Sequence, residues 1–133
     1  MSALRALPPP DAQVMVIDDD LDLRDALCEV LRDAGYLVSS AGNGFDALRM
    51  LAEEPSLPDL ILIDLMMPIM DGWEFRRRQQ GDPALADVPV IVLTALDQAQ
   101  ARAADLDGVD FLKKPLDFDR LLELVRRRCR PQP

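Results

Sequence analysis

No histidine occurs anywhere in the 133-residue chain. That absence excludes an imidazole-based catalytic triad, removes the commonest zinc ligand, and means the chain cannot itself carry a phosphoryl group on an imidazole. Cysteine is almost as scarce, with only Cys28 and Cys129 present. Both fall in apolar helical patterns and read as buried free thiols, because two distant cysteines do not make a disulfide framework. Aromatic residues are few, and 15 basic residues face 24 acidic ones, leaving a net charge of -9. An acidic surface of this kind argues against nucleic acid and anionic membrane as partners. No run approaches the roughly 18 apolar residues of a membrane helix. Met1 to Pro10 also lacks the apolar stretch and small-residue cleavage pattern of a signal peptide. No membrane insertion and a cytoplasmic location are therefore expected.

About half of the residues are apolar, with 49% in the hydrophobic class, which is enough for one domain with one core at this length. Residues 1–12, closed by Pro8-Pro9-Pro10, read as a short disordered leader, 13–130 as the domain and 131–133 as a tail, with no further domain after it. Val14 to Ile17 is a β-branched strand that stops at Asp18-Asp19-Asp20. Leu23, Leu27, Val30 and Leu31 then recur at helical spacing, with Gly35 placed for a C-cap. Tyr36 to Ala41 reads as a second strand, Gly42-Asn43-Gly44 as a turn, and Ala47, Leu48 and Leu51 as a second helix ended by Pro55. Leu60 to Ile63 is a third strand running into Asp64. Trp73 and Phe75 open a third helix that Gly81-Asp82-Pro83 closes. Pro89 to Leu93 forms a fourth strand ending at Thr94, a polar helix is expected over Gln98 to Leu106, and Phe111-Leu112 is a short fifth strand before Lys113-Lys114-Pro115. Phe118, Leu121, Leu122, Val125 and Cys129 share one stripe of a last helix. Five strand–helix units alternate, and the central strands are apolar throughout. Such strands are buried on both faces, which is the signature of an α/β fold, a doubly wound parallel sheet with helices on both sides.

In an open parallel sheet, ligands bind at the carboxyl ends of the strands. Those ends carry Asp18 and Asp19, Asp64, Thr94 and Lys114. Three close carboxylates repel one another unless a cation sits among them, and Mg²⁺ suits an all-oxygen site completed by water and a phosphate oxygen. An aspartate can act as the nucleophile toward phosphorus, a lysine supplies a compact positive charge, and a threonine hydroxyl can donate a hydrogen bond. Asp20 reads as a helix cap and Lys113 as a solvated surface residue. The arginine runs Arg76 to Arg78 and Arg126 to Arg128 read as solvated faces near helix C-termini.

The segments Val16-Ile17-Asp18-Asp19-Asp20, Asp59 to Pro68, Met70-Asp71-Gly72, Pro89 to Ala95 and Lys114-Pro115 resemble the receiver domain of two-component response regulators. The likeness covers roughly Gln13 to Arg128 and is closest to the stand-alone, chemotaxis-regulator type. It implies a flavodoxin-like sheet in the order 2-1-3-4-5. It also implies Asp64 as phosphoacceptor, and Mg²⁺ held by Asp18, Asp19, Asp64 and the backbone carbonyl of Met66. Lys114 would pair with the phosphoryl group, Thr94 and Phe111 would form the switch, and the Lys114-Pro115 peptide would be cis. Met66 and Leu96, two residues past Asp64 and Thr94, would tune hydrolysis. The implied partners are a histidine kinase or histidine phosphotransfer protein, which would donate the phosphoryl group, and a downstream protein. On this reading the chain is a phosphoacceptor and not an enzyme acting on metabolites. A phosphorylation-independent adaptor is disfavoured by the complete residue set, and a phosphohydrolase by Met66 standing where a second acid would be needed.

The sequence departs from that family at three places. Arg76 and Gln79 stand where many receivers carry an apolar residue, which predicts a frayed or polar-partnered second half of the third helix. The loop Leu106 to Asp110 is slightly short. Phe111 lacks a tyrosine hydroxyl, so its switching would work by packing alone.

Overall fold

The computed structural model describes residues 12–97, 106 and 108–129. In chain order the elements are β1 (Gln13–Ile17), α1 (Leu21–Asp33), β2 (Leu37–Ala41), α2 (Gly44–Glu53), β3 (Leu60–Asp64), α3 (Gly72–Gln80), β4 (Val90–Thr94), β5 (Asp110–Lys113) and α4 (Phe118–Arg128). The five strands form one parallel sheet in the order β2-β1-β3-β4-β5, as the resemblance implied. The helix expected over Gln98 to Leu106 lies outside the described residues, apart from Leu106, which is buried.

The alternation of the pleat sorts the core into two layers. Met15, Ile17, Ile61, Ile63, Val90 and Val92 point to the face covered by α2 and α3, where they meet Ala47, Leu51 and Phe75. Val14, Val16, Leu60, Leu62, Ile91 and Leu93 point to the face covered by α1 and α4, where they meet Leu27, Leu31, Leu121 and Val125. Both faces are dry, which is why β1, β3 and β4 are apolar without alternation. Each fully buried leucine or isoleucine contributes about 1.5–3 kcal/mol relative to an exposed one. Cys28 and Cys129 are buried free thiols in the layer under α1 and α4, and burial pushes the Cys129 thiol up to about 12.

The helices begin where short polar side chains cap them. Asp20, Asn43, Asp71 and Asp117 each accept a hydrogen bond from the first turn of α1, α2, α3 and α4 respectively. The cap at Asp71 places the start of α3 one residue earlier than the apolar pattern predicted. Gly35, just past α1, has φ of 103°, the left-handed conformation that ends helices and that glycine adopts without steric cost.

The expectation for the second half of α3 is corrected. The helix does not fray: it runs to Gln80, with Arg76 and Gln79 buried and met by polar groups of the chain itself. The Gln79 side-chain amide donates to the carbonyls of Leu85 (3.0 Å) and Val88 (2.9 Å), and its Oε1 accepts from Arg76 Nη1 at 2.8 Å. One glutamine therefore staples the turn between α3 and β4 to the end of the helix, adding a donor to the Leu85 carbonyl, which also accepts from the Val88 N–H, and supplying one to the Val88 carbonyl. The arginine runs are otherwise exposed. Arg78 pairs with Glu74, Arg127 with Glu123, and Arg128 with Asp110 of β5. Exposed pairs of this sort contribute about 0–1 kcal/mol each.

Candidate functional site

The register of the sheet decides which side chains meet. Ile17 of β1 pairs with Ile63 of β3, so the next residues, Asp18 and Asp64, emerge side by side at the carboxyl edge. Thr94 pairs with Lys113, and the Lys114 backbone N–H donates to the Thr94 carbonyl at 2.8 Å, which brings Lys114 to the same edge. Carboxylate oxygens of Asp18, Asp19 and Asp64 all lie within 4.8 Å of one another. Asp18 and Asp64 are buried and Asp19 is exposed, so the cluster opens to solvent on one side.

Lys114 Nζ donates to Asp64 Oδ2 at 3.0 Å and lies 3.5 Å from Asp18 Oδ2. Asp64 Oδ1 accepts from the Met66 backbone N–H at 3.1 Å, and Asp18 Oδ1 accepts from Asp20 N–H at 2.9 Å. The other oxygen, Asp18 Oδ2, is buried with no hydrogen-bond donor among the described residues. Burial raises the Asp18 carboxyl, the Asp20 N–H opposes that, and the charge of Asp64 adds to it. Burial alone would lower the Lys114 ammonium, but its hydrogen bond to Asp64 and the charges of Asp18 and Asp64 outweigh that and raise it. One lysine is thus shared by two buried carboxylates, and a third carboxylate, that of Asp19, lies within 4.8 Å of both. That donor set, all oxygen and excess negative charge, fits a hard divalent cation such as Mg²⁺.

Thr94 is buried, and its Oγ1 accepts from the Leu96 backbone N–H at 3.0 Å. Phe111 is half-buried against the α2–α3 side of the core. Between them and α4 lies a groove of about 390 Å³ lined by Thr94, Leu96, Phe111, Pro115 and Arg120, among others. Met66 is exposed and Leu96 half-buried. The Lys114-Pro115 peptide is cis. Asp18, Asp19, Asp64 and Lys114 thus share this rim, and Thr94, Leu96 and Phe111 line the adjoining groove.

The loop from Leu65 to Asp71 is tightly set. Ile69 has φ of 72°, a conformation that costs a β-branched residue about 1–2 kcal/mol and that marks functional loops. Gly72 lies against β3: a Cβ there would sit 2.8 Å from Leu65 Cα and 3.0 Å from the Asp64 carbonyl oxygen. Gly72→Ala should therefore push α3 off the end of β3 and destabilise the fold by about 1–3 kcal/mol. A urea midpoint equal to that of the wild type would contradict this.

A residue that motif reading passed over is Arg24. Its guanidinium reaches back from α1 and donates to the Asp18 carbonyl oxygen at 2.9 Å. No motif spacing points to that contact, although Arg24 is the lone cation among Asp18, Asp19, Asp20, Asp22 and Asp25.

Comparison with known proteins gives a consistent picture. Residues 14–126 match the family model described as the response regulator receiver domain. The response regulator MprA of Mycobacterium avium is 39% identical over 127 residues, covering 90% of this chain and 53% of that protein. The chain thus spans about half the length of the curated relatives it matches. Among solved structures, the signal receiver domain of a signal transduction histidine kinase from Syntrophus aciditrophicus is 32% identical with a TM-score of 0.80, covering 89% of each chain. Chemotaxis protein CheY4 of Vibrio cholerae is 28% identical with a TM-score of 0.81, covering 89% of this chain and 98% of its own. The response regulator TrrA of Thermotoga maritima, solved in complex with Mg²⁺-BeF, is 28% identical with a TM-score of 0.75, covering 86% and 96%.

Proposed function

The chain belongs to the response regulator receiver domain family, and from that premise we propose that it accepts a phosphoryl group on Asp64 from a phosphohistidine of a kinase or phosphotransfer protein. The observation that carries the reading is the orphaned, buried Asp18 Oδ2 beside Asp64 and Lys114. Receiver domains are phosphoacceptor signalling modules that work with histidine kinases and bind Mg²⁺ at an acidic pocket. Asp18, Asp19, Asp64 and the Met66 carbonyl would hold Mg²⁺ here. Bound there, Mg²⁺ supplies charge neutralisation and orientation for the phosphoryl oxygens.

The residues divide the rest of the chemistry. An Asp64 carboxylate oxygen attacks phosphorus in line. The new O–P bond forms as the donor's N–P bond breaks, and its electron pair leaves with the imidazole nitrogen. Lys114 moves from balancing two carboxylates to balancing the added phosphoryl oxygens. The Met66 N–H, now given to Asp64, is placed to donate to one of those oxygens. Thr94 exchanges the Leu96 N–H contact for a hydrogen bond to the phosphoryl group, and Phe111 follows into the space beside it. The added charge of roughly -1.5 to -2 biases the face that β5 and α4 share, and a downstream protein reads the difference. No helix among the described residues is long and apolar enough to cross a membrane.

The deciding experiment is intact mass after incubation with a small acyl phosphate and Mg²⁺. The wild type should gain one phosphoryl group, and Asp64→Asn, or omission of Mg²⁺, should prevent it. A wild type that stays unmodified by both the acyl phosphate and phosphoimidazole would refute the proposal. The exposed Met66 and the half-buried Leu96 flank the path of water to phosphorus, so the modified state should be long-lived. Met66→Asn should speed its decay, read by loss of the added mass with time, and an unchanged decay rate would remove Met66 from this role.

A further inference from the structure

We propose that Arg24 is a positioning residue for the cation site, acting through the backbone that joins Asp18 to Asp19. The assignment rests on the Mg²⁺ reading above and goes beyond it by naming what holds the acidic pair in place. Arg24 lies in the first turns of α1, where its own backbone N–H is bonded to the Asp20 carbonyl at 2.9 Å. Its half-buried side chain folds back, and Nη1 donates to the Asp18 carbonyl at 2.9 Å. On the other side of the same residue, the Asp18 N–H donates to the Ala41 carbonyl at the end of β2 (3.2 Å). The Asp18 side chain is in turn held by the Asp20 N–H. Asp18 is therefore tied to α1 through its carbonyl, to β2 through its N–H and to the helix cap through Oδ1. Only Oδ2 is left without a hydrogen bond, and it lies 3.5 Å from the Lys114 ammonium that also bonds Asp64.

Gly42 is the second half of this device. It follows Ala41 directly, and a Cβ built on it would fall 2.9 Å from Arg24 Nη1 and 3.8 Å from Cζ. The guanidinium thus lies in the seam between the ends of β1 and β2, in space that exists only because residue 42 has no side chain. The glycine has an ordinary backbone conformation, since positive φ among the glycines is confined to Gly35 and Gly108 within the described residues. Its lack of a Cβ therefore serves the arginine and not the turn. A planar guanidinium fills such a slot and holds a carbonyl at fixed geometry, which a flexible ammonium does less well.

The test exploits opposite signs. A cation beside a cation site disfavours Mg²⁺ by simple Coulomb repulsion, so removing it should tighten binding if Arg24 is only a nearby charge. Removing a positioning contact weakens binding, typically about 10- to 100-fold for groups that orient metal ligands. Arg24→Met keeps most of the stem and removes the donor. Mg²⁺ affinity is read by calorimetry, with Trp73 fluorescence as a second probe, on protein shown by circular dichroism to be folded. Arg24→Met should weaken Mg²⁺ binding within that range. Gly42→Ala should do so as well, with the charge retained, because its methyl group displaces the guanidinium. The two together should cost no more than either alone, as expected for changes acting on one contact. Unchanged or tighter binding by Arg24→Met, or full additivity of the pair, overturns the proposal while leaving the phosphoacceptor reading intact. A wild-type chain that takes up no Mg²⁺ overturns both.

Discussion

Asp18→Asn should raise the melting temperature of the metal-free chain at neutral pH and abolish the further rise that Mg²⁺ produces. Asp18 is wholly buried, one of its oxygens has no donor, and it stands beside a second carboxylate with only Lys114 to share. Desolvation, the largest influence on it, disfavours the charged form, and the folded chain holds its proton more tightly than an unfolded one would. A carboxyl raised by folding contributes stability at low pH that is lost as pH climbs through its folded value. At neutral pH the ionised group is therefore a net cost. An isosteric amide removes that cost, a gain of about 0.5–2 kcal/mol of the kind expected where function has been kept at the expense of stability. The gain should shrink below the ordinary carboxylate range, where both forms of residue 18 are neutral. With wild type, Mg²⁺ at a hundredfold excess over its Kd should add about 2.7 kcal/mol by mass action. The Asn chain should add almost none. Thermal melts at two pH values, with and without Mg²⁺, measure all of this. A lower melting temperature for metal-free Asp18→Asn at neutral pH would contradict it.

The second large effect lies away from the site. Gln79→Leu should destabilise the chain by about 2–4 kcal/mol, since it removes the side-chain donor shared by the carbonyls of Leu85 and Val88 and the Oε1 acceptor of the buried Arg76 guanidinium. Arg76→Leu should cost much less. Burial already lowers the Arg76 guanidinium, and replacing a buried charge with an apolar side chain of similar volume is often close to neutral. Gln79 would keep both carbonyls in that variant. Chemical denaturation of the two single variants tests the asymmetry, and equal costs would mean that the staple to residues 85 and 88 contributes little.

Much of this was legible in the residues alone. β1, β3 and β4 announced themselves as buried parallel strands because a strand covered on both faces has no polar position to alternate with. Their abrupt ends at Asp18, Asp64 and Thr94 then located the site, since side chains at the carboxyl edge of such a sheet converge on one rim. The resemblance added the strand order and the cis peptide at Pro115, both of which the fold contains. The reading failed at Arg76 and Gln79. Polar residues on a helix face look the same from sequence whether solvent or a neighbouring turn receives them. The receiver in this case is a pair of carbonyls six and nine residues on, in a stretch with no periodicity to predict its path.

The sequence by itself determined the element types, the family and the identity of the residues on the rim, because local periodicity and strand ends are encoded in neighbouring residues. Only the tertiary structure decided that Asp18 is left with one unbonded oxygen, that Lys114 is shared between two carboxylates, that Gln79 staples a turn, and that Arg24 lies in the slot Gly42 leaves open. Each of these depends on distance and burial among groups that local sequence patterns do not relate, 50 residues apart in the pair Asp64 and Lys114 and further still in the pair Asp18 and Lys114. Distance and burial set the strength of every electrostatic contact in the site, and neither exists until the sheet has brought its strand ends together.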